Sequence, residues 1–171
     1  MLTLLALLLT QPADASDLRA PALELLSGYE DTPSKADLEA LGVGVVAELM
    51  AIGVDAEVPR SRRGRAVSAL AFFPEAEVQS YLEARLADAT DESVVRRKAA
   101  YALGAGFGAA AVGPLGVALS DDDLQLRVAA AGALGGLGEA GRAALEARLA
   151  EEPEASAREA IEKALTAGGA Q

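Results

Sequence analysis

The chain contains no cysteine, no histidine and no tryptophan among its 171 residues. The absence of cysteine excludes disulfides, thiolate metal sites and cysteine nucleophiles. The absence of histidine removes the usual general base near neutral pH and the commonest metal ligand in proteins. We therefore predict a protein that is not an enzyme, with no catalytic residue, no bound metal and no cofactor.

Aromatic residues are also scarce, at 4% of a chain that is 51% hydrophobic. A chain of this length is long enough for one domain with a sizeable core. That core must consist mainly of Ala, Leu and Val side chains, because so few larger ones are present. Small side chains let helices approach closely, which favours stacked helical hairpins.

Positive charge is in short supply, with 15 Lys and Arg against 26 Asp and Glu and a formal net charge of −11. Such a surface repels phosphate backbones and anionic lipid headgroups, so we expect no nucleic-acid partner. The dense basic cluster is Arg60, Arg62, Arg63 and Arg65, most of it in a predicted loop over residues 58–63. This cluster is either a contact for an acidic partner or phosphate, or simply a solvated loop.

The N-terminal segment has the pattern of a secretory signal. Leu2 to Leu9 form an apolar run broken only by Thr3, which is too short for a membrane-spanning helix of roughly 20 residues. Ala13-Asp14-Ala15 supplies a small-x-small cleavage site before Ser16. We predict that residues 1–15 are a cleaved signal peptide, that the mature protein is periplasmic or extracellular, and that it has no stable membrane insertion. No Lys or Arg precedes the run, so a cytoplasmic protein with a different start, or a buried first helix, remains an alternative.

The mature chain divides into three predicted segments: a lead-in or N-terminal cap over 16–33, a repeat domain over 34–168 and a tail over 169–171. Ser34 and Asp37 have the spacing of a capping box, which predicts a helix from Lys35 to Leu41. A second helix is predicted over Val45 to Ile52, ended by Gly53.

An arginine recurs at one constant interval, at positions 65, 96, 127 and 158. We call Arg65, Arg96, Arg127 and Arg158 the arginine ladder. A large apolar residue keeps the same interval, and its members are Leu41, Phe72, Leu103, Leu134 and Leu165. A fixed period in this range indicates stacked repeats rather than one closed globule.

Each ladder arginine lies near the start of a predicted helix. In the helices of Arg96, Arg127 and Arg158, apolar residues recur at i, i+4, i+7 and i+8, which is one stripe of an amphipathic helix. The predicted spans are Gly64–Phe73, Val95–Gly104, Leu126–Gly135 and Ala157–Thr166. Second helices are predicted over Glu75–Leu86, Ala110–Leu119 and Glu139–Leu149. No segment alternates convincingly as a strand, so the predicted fold class is all-α, an α-solenoid of about four stacked antiparallel helical hairpins.

Two stretches share one detailed pattern. The pattern is an Asp, then Val or Leu followed by Arg, then Ala-Ala, then Ala-Leu-Gly. Its first copy is Asp91, Val95-Arg96, Ala99-Ala100 and Ala102-Leu103-Gly104. Its second copy is Asp122, Leu126-Arg127, Ala130-Ala131 and Ala133-Leu134-Gly135. The pattern resembles HEAT repeats of the bacterial type that is related to phycobilin lyases.

That resemblance implies a right-handed superhelix in which ladder arginines pair with Asp91 and Asp122 at the turns. It also implies that the second helices line the concave face. The function it implies is a non-catalytic scaffold or adaptor that binds another protein, and we expect the chain itself to be a monomer. A cytoplasmic regulatory HEAT module, or a bilin lyase-like protein that handles a chromophore, remains an alternative.

Tyr101 is the most interesting single residue, because it lies off the apolar stripe and its counterpart one unit later is Gly132. A Tyr beside a small residue makes either a shallow pocket for an anchor side chain or a packing contact between units. Polar residues on the predicted second helices are further candidates. The predicted partner-binding set is Tyr101, Arg60, Arg62, Arg63, Gln79, Glu83, Glu146 and Arg148.

Asp121, Asp122 and Asp123 raise the possibility of a calcium site, since Ca²⁺ takes several oxygen ligands. The run lacks the alternating spacing that wraps an ion. We therefore predict that Ser120 and Asp121 cap a helix instead.

Overall fold

The computed structural model describes residues 18–28 and 33–168, and over these ranges the chain is helical, with no strand. The all-α prediction is confirmed. The predicted signal peptide and tail lie outside the described residues. The α-helices are α1 (Arg19–Leu25), α2 (Lys35–Glu39), α3 (Val45–Val54), α4 (Arg60–Ala69), α5 (Ala76–Ala87), α6 (Ser93–Phe107), α7 (Val112–Ala118), α8 (Leu124–Gly135), α9 (Glu139–Leu149) and α10 (Ala155–Gly168), with 3₁₀ turns at Leu70–Phe72 and Gly108–Ala111.

Helices α3 to α10 pack as four hairpins, in which α3 pairs with α4, α5 with α6, α7 with α8, and α9 with α10. The predicted α-solenoid of stacked hairpins is therefore confirmed. Each arginine-bearing helix is the second helix of its hairpin, packed against the helix that precedes it in the chain. We call α4, α6, α8 and α10 the ladder row, and α3, α5, α7 and α9 the companion row.

The ladder row is the more tightly packed of the two. A Cβ atom built on Gly104 of α6 would lie 2.9 Å from the Cβ of Ala133 on α8, and one built on Gly135 of α8 would lie 2.7 Å from the Cβ of Ala164 on α10. Neighbours in the companion row contact each other only sparsely. A stack of repeats curves toward the side where its helices are closer. This packing argues against the expectation that the helices now numbered α5, α7 and α9 line the concave face.

The buried arginines of the described chain are Arg63, Arg96 and Arg127, which are 8%, 6% and 8% exposed. Arg63, rather than Arg65, thus occupies the first ladder position, slightly further from Arg96 than the constant interval of the sequence would place it. Arg65 is only partly buried and donates to the carbonyl of Leu26 at 3.2 Å. In the first unit, the arginine that keeps the constant sequence interval is therefore not the one that occupies the buried ladder position.

The apolar series breaks at the same place. Leu70 is fully buried, as Leu103 is, whereas Phe72 is 38% exposed. The buried leucine therefore comes slightly earlier in the chain than the position the interval predicts, and the buried arginine, Arg63, comes earlier than Arg65 by the same number of residues. The link between the first two ladder helices is therefore slightly longer than the later ones, which a count of identical residues does not reveal.

Each buried arginine binds a carboxylate from a later turn. Arg96 Nη1 lies 3.1 Å from Asp121 Oδ1, and Arg127 Nε lies 3.0 Å from Glu152 Oε2, each pair 25 residues apart in sequence. Arg63 Nη2 binds Glu92 Oε1 at 2.6 Å. These bonds join each ladder helix to the turn that leads into the next one.

The carboxylates of these pairs are not the predicted ones. The Asp91 side chain accepts from Arg85 at 3.0 Å, and Asp122 offers Arg127 only its backbone carbonyl, at 3.3 Å. Arg158, the last of the predicted ladder, is exposed and donates to the backbone carbonyl of Glu152 at 2.6 Å. Turn geometry, rather than the repeat pattern, selects which oxygen faces each guanidinium.

Several helix ends were predicted well and others were not. The capping box is present, with the Asp37 N–H donating to Ser34 Oγ and the Ser34 N–H to Asp37 Oδ2. Gly53 does not end α3, because it is buried inside the helix, which continues to Val54. The cap of α8 is Asp123, which accepts from the N–H of Gln125 at 2.8 Å, rather than Ser120 or Asp121.

By length and composition alone, the helical stretch Ser93–Ala118 is apolar enough to cross a membrane. In the fold it is α6, a 3₁₀ turn at Gly108 and α7, and it packs against both neighbouring hairpins. Val95, Leu103 and Leu115 are fully buried within the stack. Part of its apolar character is thus that of a core element.

Candidate protein-binding surface

The outward side of the ladder row forms a continuous surface, which we call the ladder face. Residues three and four apart share one side of a helix. On α6 these are Arg97, Lys98, Tyr101 and Ala105, all outside the core. Tyr101 is 58% exposed and does not pack between units. An exposed aromatic side chain on an apolar helix is a frequent contributor to protein interfaces.

Tyr101 forms one wall of a groove of about 460 Å³ between α6 and α8. The other lining residues are small, which keeps the groove open, since Gly132 has open space where a side chain would stand. The structure therefore produces the shallow pocket that the Tyr101 and Gly132 positions indicated. We call it the Tyr101 groove; its lining residues are Tyr101, Gly104, Ala105, Ala129, Gly132, Ala133 and Gly136.

The predicted arginine loop over residues 58–63 does not exist, because α4 begins at Arg60 with Pro59 as its N-cap. Proline suits this position, since the first helical turn does not need its missing N–H. Arg60 is exposed and Arg62 half-buried, whereas Arg63 is buried and ion-paired. Arg63 is therefore withdrawn from the candidate surface, which is a correction to the prediction.

Two further cations, both from α6, extend the basic cluster toward the groove. Arg60 and Arg97 line one pocket of about 520 Å³ at the start of α4 and α6. The stem of Lys98 crosses α4 closely, since a Cβ built on Gly64 would lie 3.3 Å from Lys98 Cγ. We call Arg60, Arg97 and Lys98 the basic edge. Arg97 and Lys98 were not predicted as part of the cluster, because they are distant from Arg60 in the sequence and only the packing of α6 against α4 brings them close.

Both walls of the Tyr101 groove lie within residues 91–166, and these residues match the family model of HEAT repeats. This part of the chain is similar to HEAT repeats. No curated protein matches the chain. HEAT repeats generally serve as protein-interaction scaffolds and are typically non-catalytic. The match covers α6 to α10 and excludes α4, whose longer link to α6 departs from the repeat period.

The remaining candidates lie on the companion row, away from Tyr101. On α5, Gln79 Nε2 donates to Glu83 Oε1 at 2.8 Å. On α9, Glu146 accepts from Arg142 at 3.1 Å, and Arg148 binds Glu152 at 2.8 Å. The predicted set therefore separates into two surfaces, and Arg148 has a structural partner. Binding by these residues stays a prediction.

Glu152 is the residue whose role the sequence did not reveal. Its side chain is fully buried, and its oxygens accept from Arg127, Arg148 and the N–H of Glu154 at 2.8–3.0 Å. Burial alone would raise the pKa of this carboxyl, but the hydrogen bonds from Arg127 and Arg148 outweigh it and lower the pKa to about 2. The only sequence signal was its distance from Arg127 along the chain, which equals the distance of Asp121 from Arg96.

The described acidic residues do not assemble into a metal site. No group of three or more metal-binding side chains occurs among them. In the acidic run, Asp121 binds Arg96, and the Arg96 hydrogen bond lowers the pKa of the Asp121 carboxyl. Asp123 is the cap of α8. Both carboxylates thus have structural roles in the helix connections.

Proposed function

We propose that this protein is a non-catalytic scaffold that binds another protein through the ladder face. The observation that carries the proposal is the Tyr101 groove, an apolar recess with an exposed aromatic wall and an unfilled floor at Gly132. Large apolar side chains of a partner gain most from such recesses, because both surfaces lose water on contact. A groove framed by backbone and small side chains also needs little rearrangement to bind a large apolar side chain.

The proposed function is tested by affinity capture with matched variants. The full chain is immobilised, cell-envelope and cytoplasmic extracts are passed over it at moderate salt, and retained proteins are identified by mass spectrometry. Gly132→Leu places an aliphatic side chain in the groove, and a Cβ atom at this position meets no other atom within 4 Å. Val117→Ala is the control, since Val117 is exposed on α7 in the companion row.

We expect a protein that is retained by the wild type and by Val117→Ala and lost with Gly132→Leu. Circular dichroism must show that all three chains have the same helix content. Retention of nothing from either extract, or equal retention by Gly132→Leu, contradicts the proposal that the ladder face is a binding surface.

We also propose that the protein acts in the periplasm or cell envelope, as a monomer, after removal of residues 1–15. Cleavage before Ser16 removes no residue of the described fold. The first described helix is attached to the stack, since Leu18 is buried and Arg19 Nη1 donates to Glu48 at 3.0 Å. N-terminal sequencing of the protein from its own cells should begin at Ser16. A chain that still begins at Met1 favours a cytoplasmic regulatory module instead, and sedimentation of the purified protein tests the monomer.

A further inference from the structure

The Tyr101 groove adjoins the basic edge. Tyr101 follows Arg97 by four positions and Lys98 by three, so about one helical turn, roughly 5 Å, separates the aromatic wall from the two cations. Arg60 reaches the same area from α4, because it shares a pocket with Arg97. An apolar recess and a cluster of positive charge are therefore parts of one surface.

The charge at this place contrasts with the rest of the molecule. The chain carries a net charge of −11, yet three cationic side chains lie together at the basic edge. The acidic group in the Arg60–Arg97 pocket is Glu92, and its carboxylate already binds Arg63 at 2.6 Å. The cations of the edge are thus not neutralised by Glu92. At the far side of the ladder face, exposed Glu159 and Lys163 of α10 carry opposite charges, so the excess of positive charge is confined to one end.

Acidic groups of a partner would be attracted to one end of the groove and not to the other. Charge complementarity of this kind fixes orientation and excludes wrong partners more than it adds affinity. Nucleic acid fits poorly, because a patch of three cations lies on a strongly acidic chain that repels a long phosphate backbone.

Resting on the proposed function, we infer that the Tyr101 groove receives one large apolar side chain from a protein segment whose adjacent residues are acidic. The apolar anchor packs against Tyr101 over Gly132. The acidic residues of the segment lie against Arg97, Lys98 and Arg60. The segment is oriented with its acidic end toward α4 and its uncharged end toward α8 and α10.

The probe for this inference is a displayed library of short random peptides, selected on the immobilised full chain. We expect the selected peptides to share a large apolar residue with Asp or Glu close beside it. One selected peptide is then labelled with a fluorophore, and its affinity is measured by fluorescence anisotropy. The matched peptide control replaces its acidic residues with the corresponding amides.

Three protein variants assign the contacts. We expect Gly132→Leu to weaken binding about tenfold or more, because it occupies the place of a central anchor. The double variant Arg97→Glu, Lys98→Glu should weaken binding of the acidic peptide by a similar factor and leave the affinity for the amide peptide unchanged. Its binding should also depend less on salt than that of the wild type. Val117→Ala should bind as the wild type does.

Other outcomes overturn the inference in distinguishable ways. If the selected peptides are neutral or basic, or if the charge reversal does not change the affinity, the inference that the partner segment is acidic is wrong. If peptides bind but Gly132→Leu does not weaken their affinity, the Tyr101 groove is not the binding site, although the chain still binds protein segments. If the chain forms dimers that Gly132→Leu abolishes, the occupant is a second copy. The proposed function is tested separately, by the extract capture, and fails if nothing is retained or if Gly132→Leu retains the same proteins as the wild type.

Discussion

Replacing Glu152 by Gln should destabilise the last hairpin of the stack through loss of one buried charge. The carboxylate joins three parts of the chain, because it binds Arg127 of α8, Arg148 of α9 and the N–H of Glu154 before α10. Gln is nearly the same size but has no charge and a single acceptor oxygen. Two guanidinium groups are then left with a poor partner in a buried place.

The size of the effect follows from the pKa. A shift from the ordinary value of 4.5 to about 2 corresponds to about 3 kcal/mol of folding stability. Loss of one member of a buried ion pair costs about 3–5 kcal/mol in other proteins, which agrees. Because the folded-state pKa is lowered, this stability is fully present above about pH 5 and is lost as the pH falls toward 2. Between pH 7 and pH 3 the wild type should lose about 2 kcal/mol of it.

Urea unfolding followed by circular dichroism at pH 7, 5 and 3 measures the effect. At pH 7 we expect Glu152→Gln to unfold with about 3 kcal/mol less free energy than the wild type, and at pH 3 the difference should narrow to about 1 kcal/mol. Glu146→Gln is the control, since Glu146 is on the same helix as Arg148 but its pair with Arg142 is exposed, so the loss should stay below about 1 kcal/mol. A difference between Glu152→Gln and the wild type that does not change with pH would refute the electrostatic explanation.

Three further predictions concern the packing and the helix ends. Gly135→Ala should lower the free energy of unfolding by about 1–3 kcal/mol, because its Cβ would lie 2.7 Å from that of Ala164. Gly113→Ala, whose Cβ meets nothing within 4 Å, should raise the free energy of unfolding by up to about 1 kcal/mol. Equal effects of the two substitutions in urea unfolding would contradict the close approach of α8 and α10. Tyr81→Phe should cost about 1 kcal/mol in the same assay, since its hydroxyl donates to the carbonyl of Met50 at 3.0 Å, and no loss would mean that water replaces this bond. Ser34→Ala should cost about 1 kcal/mol and speed hydrogen exchange of α2 amides, and unchanged exchange would show that the capping box does not hold α2.

The local elements of this fold were largely predictable. The i, i+4, i+7, i+8 apolar stripe marks α6, α8 and α10 because the side of a helix that faces the core is set by a period of 3.6 residues. The capping box at Ser34 was predictable for a similar reason, since both of its partners lie within one turn. Tyr101 was recognisable as off the stripe, and the structure places it at the surface for that reason.

The arrangement of long-range partners was not predictable. The constant interval in the sequence suggested Arg65 as the first member of the ladder, but the longer link before α6 places Arg63 there. The pattern suggested Asp91 and Asp122 as partners, but the turns present Asp121 and Glu152 to the buried arginines. A shift of one position in a turn redirects a side chain, and no local rule records it.

The candidate surface shows the same division. The sequence by itself determined that the chain forms stacked helical hairpins with a small-residue core and an outward Tyr101, because these features follow from helical periodicity within each repeat. Only the tertiary structure decided that Gly132 lies opposite Tyr101 across a groove, and that Arg60 of α4 meets Arg97 of α6 beside it. These neighbours come from different hairpins, and their distance depends on how closely the helices of the ladder row pack, which is a property of the whole stack.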